Sequence, residues 1–79
     1  MLEIFKNYLR NEDYYIILYS NYVYIYNYDE ILVFTDKNIS LKVDKVILNI
    51  VGDNLLITKL EKKELLIKGN IYKLEKKYE

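Results

Sequence analysis

For general acid–base or nucleophilic chemistry, this 79-residue sequence offers carboxylates, lysines and ten tyrosines, but no histidine and no cysteine. Without cysteine there is no thiol nucleophile, no disulfide and no thiolate metal site. Without histidine the side chain that ordinarily titrates near neutrality is missing. Acid–base work would fall to paired acids such as Glu12-Asp13 and Asp29-Glu30, but both pairs sit between apolar runs, where they suit solvated turns better than a catalytic dyad. Gly52 and Gly69 are too few and too far apart to build a phosphate-cradling loop, and no segment has the Asp/Asn spacing of a calcium loop. The expectation is a protein that is not an enzyme, needs no cofactor or metal, takes no small-molecule substrate, and works by binding or assembly.

The formal charge is balanced at zero, without the basic excess that marks nucleic-acid binders. Its distribution is uneven. Residues 1–36 hold two bases against six acids, a net −4, and residues 37–79 hold ten lysines against six acids, a net +4. Head-to-tail contact between copies is one use of such a split. The longest apolar run, Tyr14 to Tyr19, is far short of the roughly 20 residues that span a bilayer. With no signal-peptide pattern and no cysteine, the chain reads as cytoplasmic. Ile, Lys, Asn and Tyr dominate and alanine is absent, a bias consistent with AT-rich coding.

Chemistry this sparse depends on the surface the fold presents. Leu2, Phe5 and Leu9, with Tyr8 beside them, are spaced for one face of a short helix over Met1–Asn11, acting as a lid on the core or a docking segment. From Tyr14 the period becomes two. Apolar and β-branched runs at Tyr14–Tyr19, Tyr22–Tyr26, Ile31–Thr35, Ile39–Val43, Val46–Val51, Leu55–Leu60, Glu64–Lys68 and Ile71–Glu75 predict about eight short strands. Asn21, Gly52 and Gly69 lie in the clusters predicted to turn the chain between them. Links of two to four residues are too short for parallel crossovers, so the fold class is all-β, a single domain over residues 1–79 built as a small antiparallel meander. Open meander, sandwich and barrel all fit. A stacked solenoid also fits, because Asn precedes an apolar strand start near Asn38, Asn54 and Asn70.

The densest local pattern is Tyr14 to Tyr28. A two-residue Ser20-Asn21 turn sets Tyr19 opposite Tyr22, Leu18 opposite Val23, Ile17 opposite Tyr24, Ile16 opposite Ile25 and Tyr15 opposite Tyr26. One face then carries Ile16, Leu18, Val23 and Ile25, with no polar atom to satisfy, and should be core. The other carries Tyr15, Tyr19, Tyr22, Tyr24 and Tyr26 with Ile17, and should stay partly open. Tyrosine offers large contact area at low entropic cost, so this face is the candidate interaction surface. Base stacking is disfavoured, because no Lys or Arg falls between Asp13 and Asp36. Lys62-Lys63 and Lys76-Lys77 are short basic pairs that suit solvated sheet edges. They also offer a weak attraction to anionic lipid, which makes a peripheral membrane module the alternative reading.

Three blocks in order carry a resemblance: Ser20-Asn21-Tyr22-Val23-Tyr24-Ile25-Tyr26-Asn27-Tyr28-Asp29-Glu30-Ile31 followed by Phe34-Thr35, then Ile50-Val51-Gly52-Asp53-Asn54-Leu55-Leu56-Ile57, then Glu64-Leu65-Leu66-Ile67-Lys68-Gly69-Asn70-Ile71. Across about residues 14–76 the chain resembles the YabP/YqfC family of sporulation proteins. The family pattern has a Gly-Asn turn and an Ile-Glu-Asn stretch, then I-x-G-x-x-L-x-I and L-x-I-x-G-x-I. The last two blocks match at Ile50, Gly52, Leu55 and Ile57, and at Leu65, Ile67, Gly69 and Ile71. Ser20 stands where glycine is usual, Tyr26 where glutamate is usual, and the N-terminal segment has no proline. The resemblance implies a non-enzymatic protein of endospore-forming bacteria, made in the mother cell. Its expected partner is a membrane or coat component, an integral membrane protein among them, met in the cytoplasm on the mother-cell side, peripheral to the forespore membrane.

Overall fold

Runs with a period of two become six strands in the computed structural model, which describes residues 14–78. They are β1 (Tyr15–Leu18), β2 (Tyr22–Tyr26), β3 (Glu30–Phe34), β4 (Asn38–Val43), β5 (Val46–Leu60) and β6 (Glu64–Tyr78). The all-β antiparallel class holds. The expected helix over Met1–Asn11 lies outside the described residues.

The count is six rather than eight because Gly52-Asp53-Asn54 and Gly69-Asn70 do not turn the chain back. Both lie inside 15-residue strands, where the β5–β6 register slips between Val51 and Gly52 and again between Asp53 and Leu56. Asn and Gly signal a break in regular extended backbone, and a bulged corner breaks it as well as a hairpin does. Asn54 takes a left-handed φ of 54° and Gly69 a φ of 147°. A Cβ on Gly52 would sit 2.0 Å from the Asn70 carbonyl oxygen, so the two strands approach there as only glycine allows.

The corners also reverse which residues face inward. On β5, Val46, Leu48 and Ile50 are buried before the bulge, and Leu55 is buried after it, at odd rather than even positions. Strand order is β1-β2-β6-β5-β4-β3. Beyond the hairpins it departs from a simple meander, since β2 pairs with Glu64–Lys68 of β6 and not with β3. Asn27, at a left-handed φ of 69°, starts the short link that carries the chain from β2 across to β3. Among the described residues, β1 and β3 end the order unpaired to each other, so the sheet they form is open and neither a closed barrel nor a stacked solenoid.

A lone sheet is wet on both faces, yet Val23, Ile25, Leu65 and Ile67 from one half and Ile39, Leu41, Val43 and Ile50 from the other are all fully buried. They form a single cluster, so the sheet folds over at the corners and covers itself. One layer is β1, β2, the first part of β6 and the last part of β5. The other is β3, β4, the first part of β5 and the last part of β6. Tyr28, in the crossing link, packs on this core and donates its hydroxyl to the Glu61 carbonyl at 3.0 Å.

Candidate functional site

The β1–β2 hairpin has the pairing that a two-residue turn demands: Tyr15 opposite Tyr26, Ile16 opposite Ile25, Ile17 opposite Tyr24 and Leu18 opposite Val23. Strand order extends its tyrosine face across the layer. Tyr22 continues into Lys68 and Leu56, Tyr24 into Leu66 and Lys59, and Tyr26 into Glu64. The Tyr15 and Tyr26 rings stack at 5.1 Å, Tyr15 lies 6.0 Å from Tyr24, and Tyr19 meets Tyr22 edge-on at 6.2 Å. Lys68 Nζ sits 5.5 Å from the centre of the Tyr22 ring. Such ring pairs add about 0.5–1.5 kcal/mol beyond the area they bury, so the surface is held in shape before any partner arrives.

Two placements differ from the pattern read in the chain. Tyr24, expected on an open face, is only 8% exposed, because β6 flanks β2 and sets Leu66 on one side of the ring with Ile17 on the other. Leu18, expected in the core, is 52% exposed, because it ends an edge strand beyond the reach of the opposite layer. The remaining open parts of the tyrosine face are Tyr19 at 61% and Leu56 at 57% exposure, with Tyr15, Ile17, Tyr22, Tyr26 and Leu66 half-buried between them.

Tyr24 donates its hydroxyl to Glu64 Oε1, and Lys59 Nζ lies 3.6 Å from Glu64 Oε2. Burial, reinforced by the bond to Glu64, pushes the Tyr24 phenol well above its ordinary pKa, so it remains a donor throughout the physiological range. Tyr24→Phe deletes one charge-assisted bond and leaves Glu64 its lysine. The expected loss is about 1.5 kcal/mol, read as a lower urea midpoint at unchanged slope. A midpoint equal to wild type would show that the bond adds no stability.

Asn21 is in the β1–β2 turn, where its carbonyl accepts from Gly69 N at 3.2 Å. Gly52 N donates to the Lys37 carbonyl at 3.0 Å. The residues read as turns thus tie the two hairpins to the two corners. Beside the Gly52 corner lies a group the sequence did not announce: Lys37 Nζ 2.8 Å from Asp53 Oδ1, with the Tyr72 hydroxyl donating to Asp53 Oδ2. Tyr72 is the extra residue of the bulge, since Val51 pairs with Lys73 and Gly52 with Ile71. The Lys37 bond, then that of Tyr72, holds the Asp53 carboxyl below its ordinary value of 3.8. A depressed folded pKa contributes stability that is complete above the unfolded value and lost as pH falls through the folded one. Asp53→Asn should therefore lower the urea midpoint slightly at neutral pH and not at all at pH well below 3.8. A difference that persists in acid would assign the effect to packing instead of charge.

The outward face of the other layer is polar. Its rows run Glu30, Lys42, Ile47, Lys77, then Val33, Ser40, Asn49, Glu75, then Asn38, Val51, Lys73. Ser40 donates to Asn49 Oδ1 at 2.8 Å across one of them. Lys62 and Lys63 are in the β5–β6 turn and Lys76 and Lys77 in the last part of β6, four exposed lysines at two separate places on the chain. Among the described residues, no group of three or more acids, histidines or cysteines is placed to hold a metal ion, and no helix is long and apolar enough to cross a membrane. Sequence reasoning missed Leu56, Lys59, Glu64, Leu66 and Lys68 as part of the tyrosine face. Alternation along β5 and β6 puts Leu56, Glu64, Leu66 and Lys68 on the non-core side, Lys59 joins them through the register shift after Ile57, and only strand order brings them all beside β2.

A folded-over antiparallel sheet, aromatic on one outer face and polar on the other, defines a small all-β module whose distinctive surface is the aromatic one. The chain belongs to the YabP family, whose model matches residues 11–78, and the three-block resemblance holds. Membership suggests a sporulation-related role. No curated protein and no solved structure matches the chain.

Proposed function

We propose that this chain is a non-enzymatic assembly or adaptor module of spore formation that docks a protein partner on its tyrosine face. The observation that carries this reading is the asymmetry of the two outer faces. One presents Tyr15, Ile17, Tyr19, Tyr22, Tyr26, Leu56 and Leu66, with Lys68 between Tyr22 and Leu56 and with Lys59 and Glu64 beside Leu66 and Tyr26, while the other has no aromatic ring in its rows and is mostly serine, asparagine, lysine and acid, with Val33, Ile47 and Val51 among them. A surface of tyrosine and aliphatic side chains with a few charges set among and beside them suits a partner that is largely apolar and offers hydrogen-bond acceptors to the phenols. Family membership supports the setting, and the mother cell, beside an integral membrane partner, is where we place it.

The test is made in sporulating cells of an organism that carries the gene. A photo-crosslinking residue at Tyr22 should capture one discrete protein, and the same residue at Ser40, on the polar face, should not. Tyr19→Ser with Leu56→Ser should remove that product and lower spore yield while leaving the purified chain's urea midpoint nearly unchanged. Losing the two most exposed apolar contacts of the face, at about 1 kcal/mol or more each, weakens binding by over tenfold. Equal crosslinking from both faces, or full spore yield in the double variant, would defeat the proposal.

A further inference from the structure

Among the described residues, the polar layer has two edges with no neighbouring strand, and they are complementary. Its strand order is β3, β4, β5, β6 and every pair is antiparallel, so the edge strands β3 and the last part of β6 run in opposite directions. A second copy placed beside the first by translation would therefore meet it as one more antiparallel pair. The acids Asp29, Glu30 and Asp36 bracket β3 with no base among residues 29–36, whereas residues 73–78 carry Lys73, Lys76 and Lys77 against Glu75.

The rows across the layer show what such a contact would juxtapose. One row runs Glu30, Lys42, Ile47, Lys77, so its two ends are Glu30 and Lys77. Neither of these has an ion-pair partner among the described residues. Continued into a neighbouring copy, this row sets Glu30 against Lys77. The row Phe34, Ile39, Ile50, Leu74 likewise sets Phe34 against Leu74. Phe34 is 53% exposed, and Leu32 and Val33 beside it are exposed as well, an apolar edge strand of the kind that adds strands.

We propose that this chain assembles head to tail with further copies of itself, β3 of one copy adding antiparallel to residues 73–78 of the next. Lysines at a sheet edge commonly prevent pairing, and here they do so selectively. Two β6 edges meeting about a two-fold axis would oppose lysines, and two β3 edges would oppose acids. Only the heterologous contact joins opposite charges, and such a contact repeats instead of closing on a dimer. This surface is separate from the tyrosine face, which stays open along the assembly.

Sedimentation velocity on the full chain, across a wide concentration range at low and high salt, decides the matter. Wild type should form a ladder of species that grows with concentration and recedes with salt. Glu30→Lys alone and Lys77→Glu alone each bring like charges together and should weaken association by about tenfold or more. An equimolar mixture of the two, or a chain carrying both substitutions, restores opposite charges at the junction and should associate again, which also shows that the single variants are folded. Monomeric wild type, single variants that associate as well as wild type, or single variants that the charge swap fails to rescue would each overturn the proposal. A discrete dimer abolished by Tyr19→Ser and indifferent to both reversals would overturn it too, while favouring the tyrosine face as the contact between copies. Loss of the partner crosslink from Tyr22 with the salt-sensitive ladder intact would remove the proposed function and leave this inference standing.

Discussion

Gly52→Ala should destabilise the chain by about 3–5 kcal/mol, a large share of the roughly 4–12 kcal/mol by which domains of this size are stable. The added methyl would lie 2.0 Å from the Asn70 carbonyl oxygen and 3.1 Å from Leu55 Cδ2. The first of these neighbours is backbone and cannot rotate away. Relief requires β5 and β6 to separate at the corner, and the bonds from Gly52 N to Lys37 and from Leu55 N to Asp36 are anchored at the same place. Because the corner brings the two layers together, the damage would not remain local. Urea denaturation followed by circular dichroism should show a greatly reduced midpoint. A midpoint within experimental error of wild type would mean that the strands do not cross as closely as described.

Ile25→Ala and Leu18→Ala form the second comparison. Both residues alternate onto the aliphatic face of one hairpin, and by pattern alone they are equivalent core positions. Ile25 is fully buried in the cluster shared by both layers, so truncation should cost about 2–5 kcal/mol through lost transfer free energy and the cavity left behind. Leu18 is 52% exposed, and its truncation should stay within about 0.5 kcal/mol. Measured side by side in urea, the pair tests whether the sheet folds over where we describe it. Equal losses at both positions would place the opposite layer across the whole of β1.

An exposed apolar edge strand and an aromatic face are hazards in a small protein, and here both are braced by local contacts. Stacked rings and the Tyr24–Glu64–Lys59 chain fix the tyrosine face. The β3–β4 turn is fixed by Thr35 Oγ1, which accepts from Lys37 N and Asn38 N. Pre-organisation lowers the entropic cost of binding, so neither surface needs a large contact area to be effective.

Local physics made much of this legible from the chain. Alternation within Tyr15–Leu18 and Tyr22–Tyr26, and a two-residue turn between them, left one register for the hairpin, because a slip by one residue would turn every aliphatic side chain to water. The lack of histidine and cysteine narrowed the available chemistry before any coordinates. The blocks around Gly52 and Gly69 pointed to the YabP family, which the match over residues 11–78 shows. Tertiary structure alone decided that Gly52 and Gly69 are corners within long strands instead of turns between short ones, since an interrupted extended pattern is identical in the two cases. It also decided that β2 lies against β6, a pairing between residues some forty positions apart that no local propensity encodes. From that one pairing follow the burial of Tyr24, the exposure of Leu18, and the enlargement of a five-tyrosine hairpin face into a surface that includes Leu56, Lys59, Glu64, Leu66 and Lys68. Periodicity tells which residues share a face of one strand, but what lies beside or above that face depends on contacts distant in sequence.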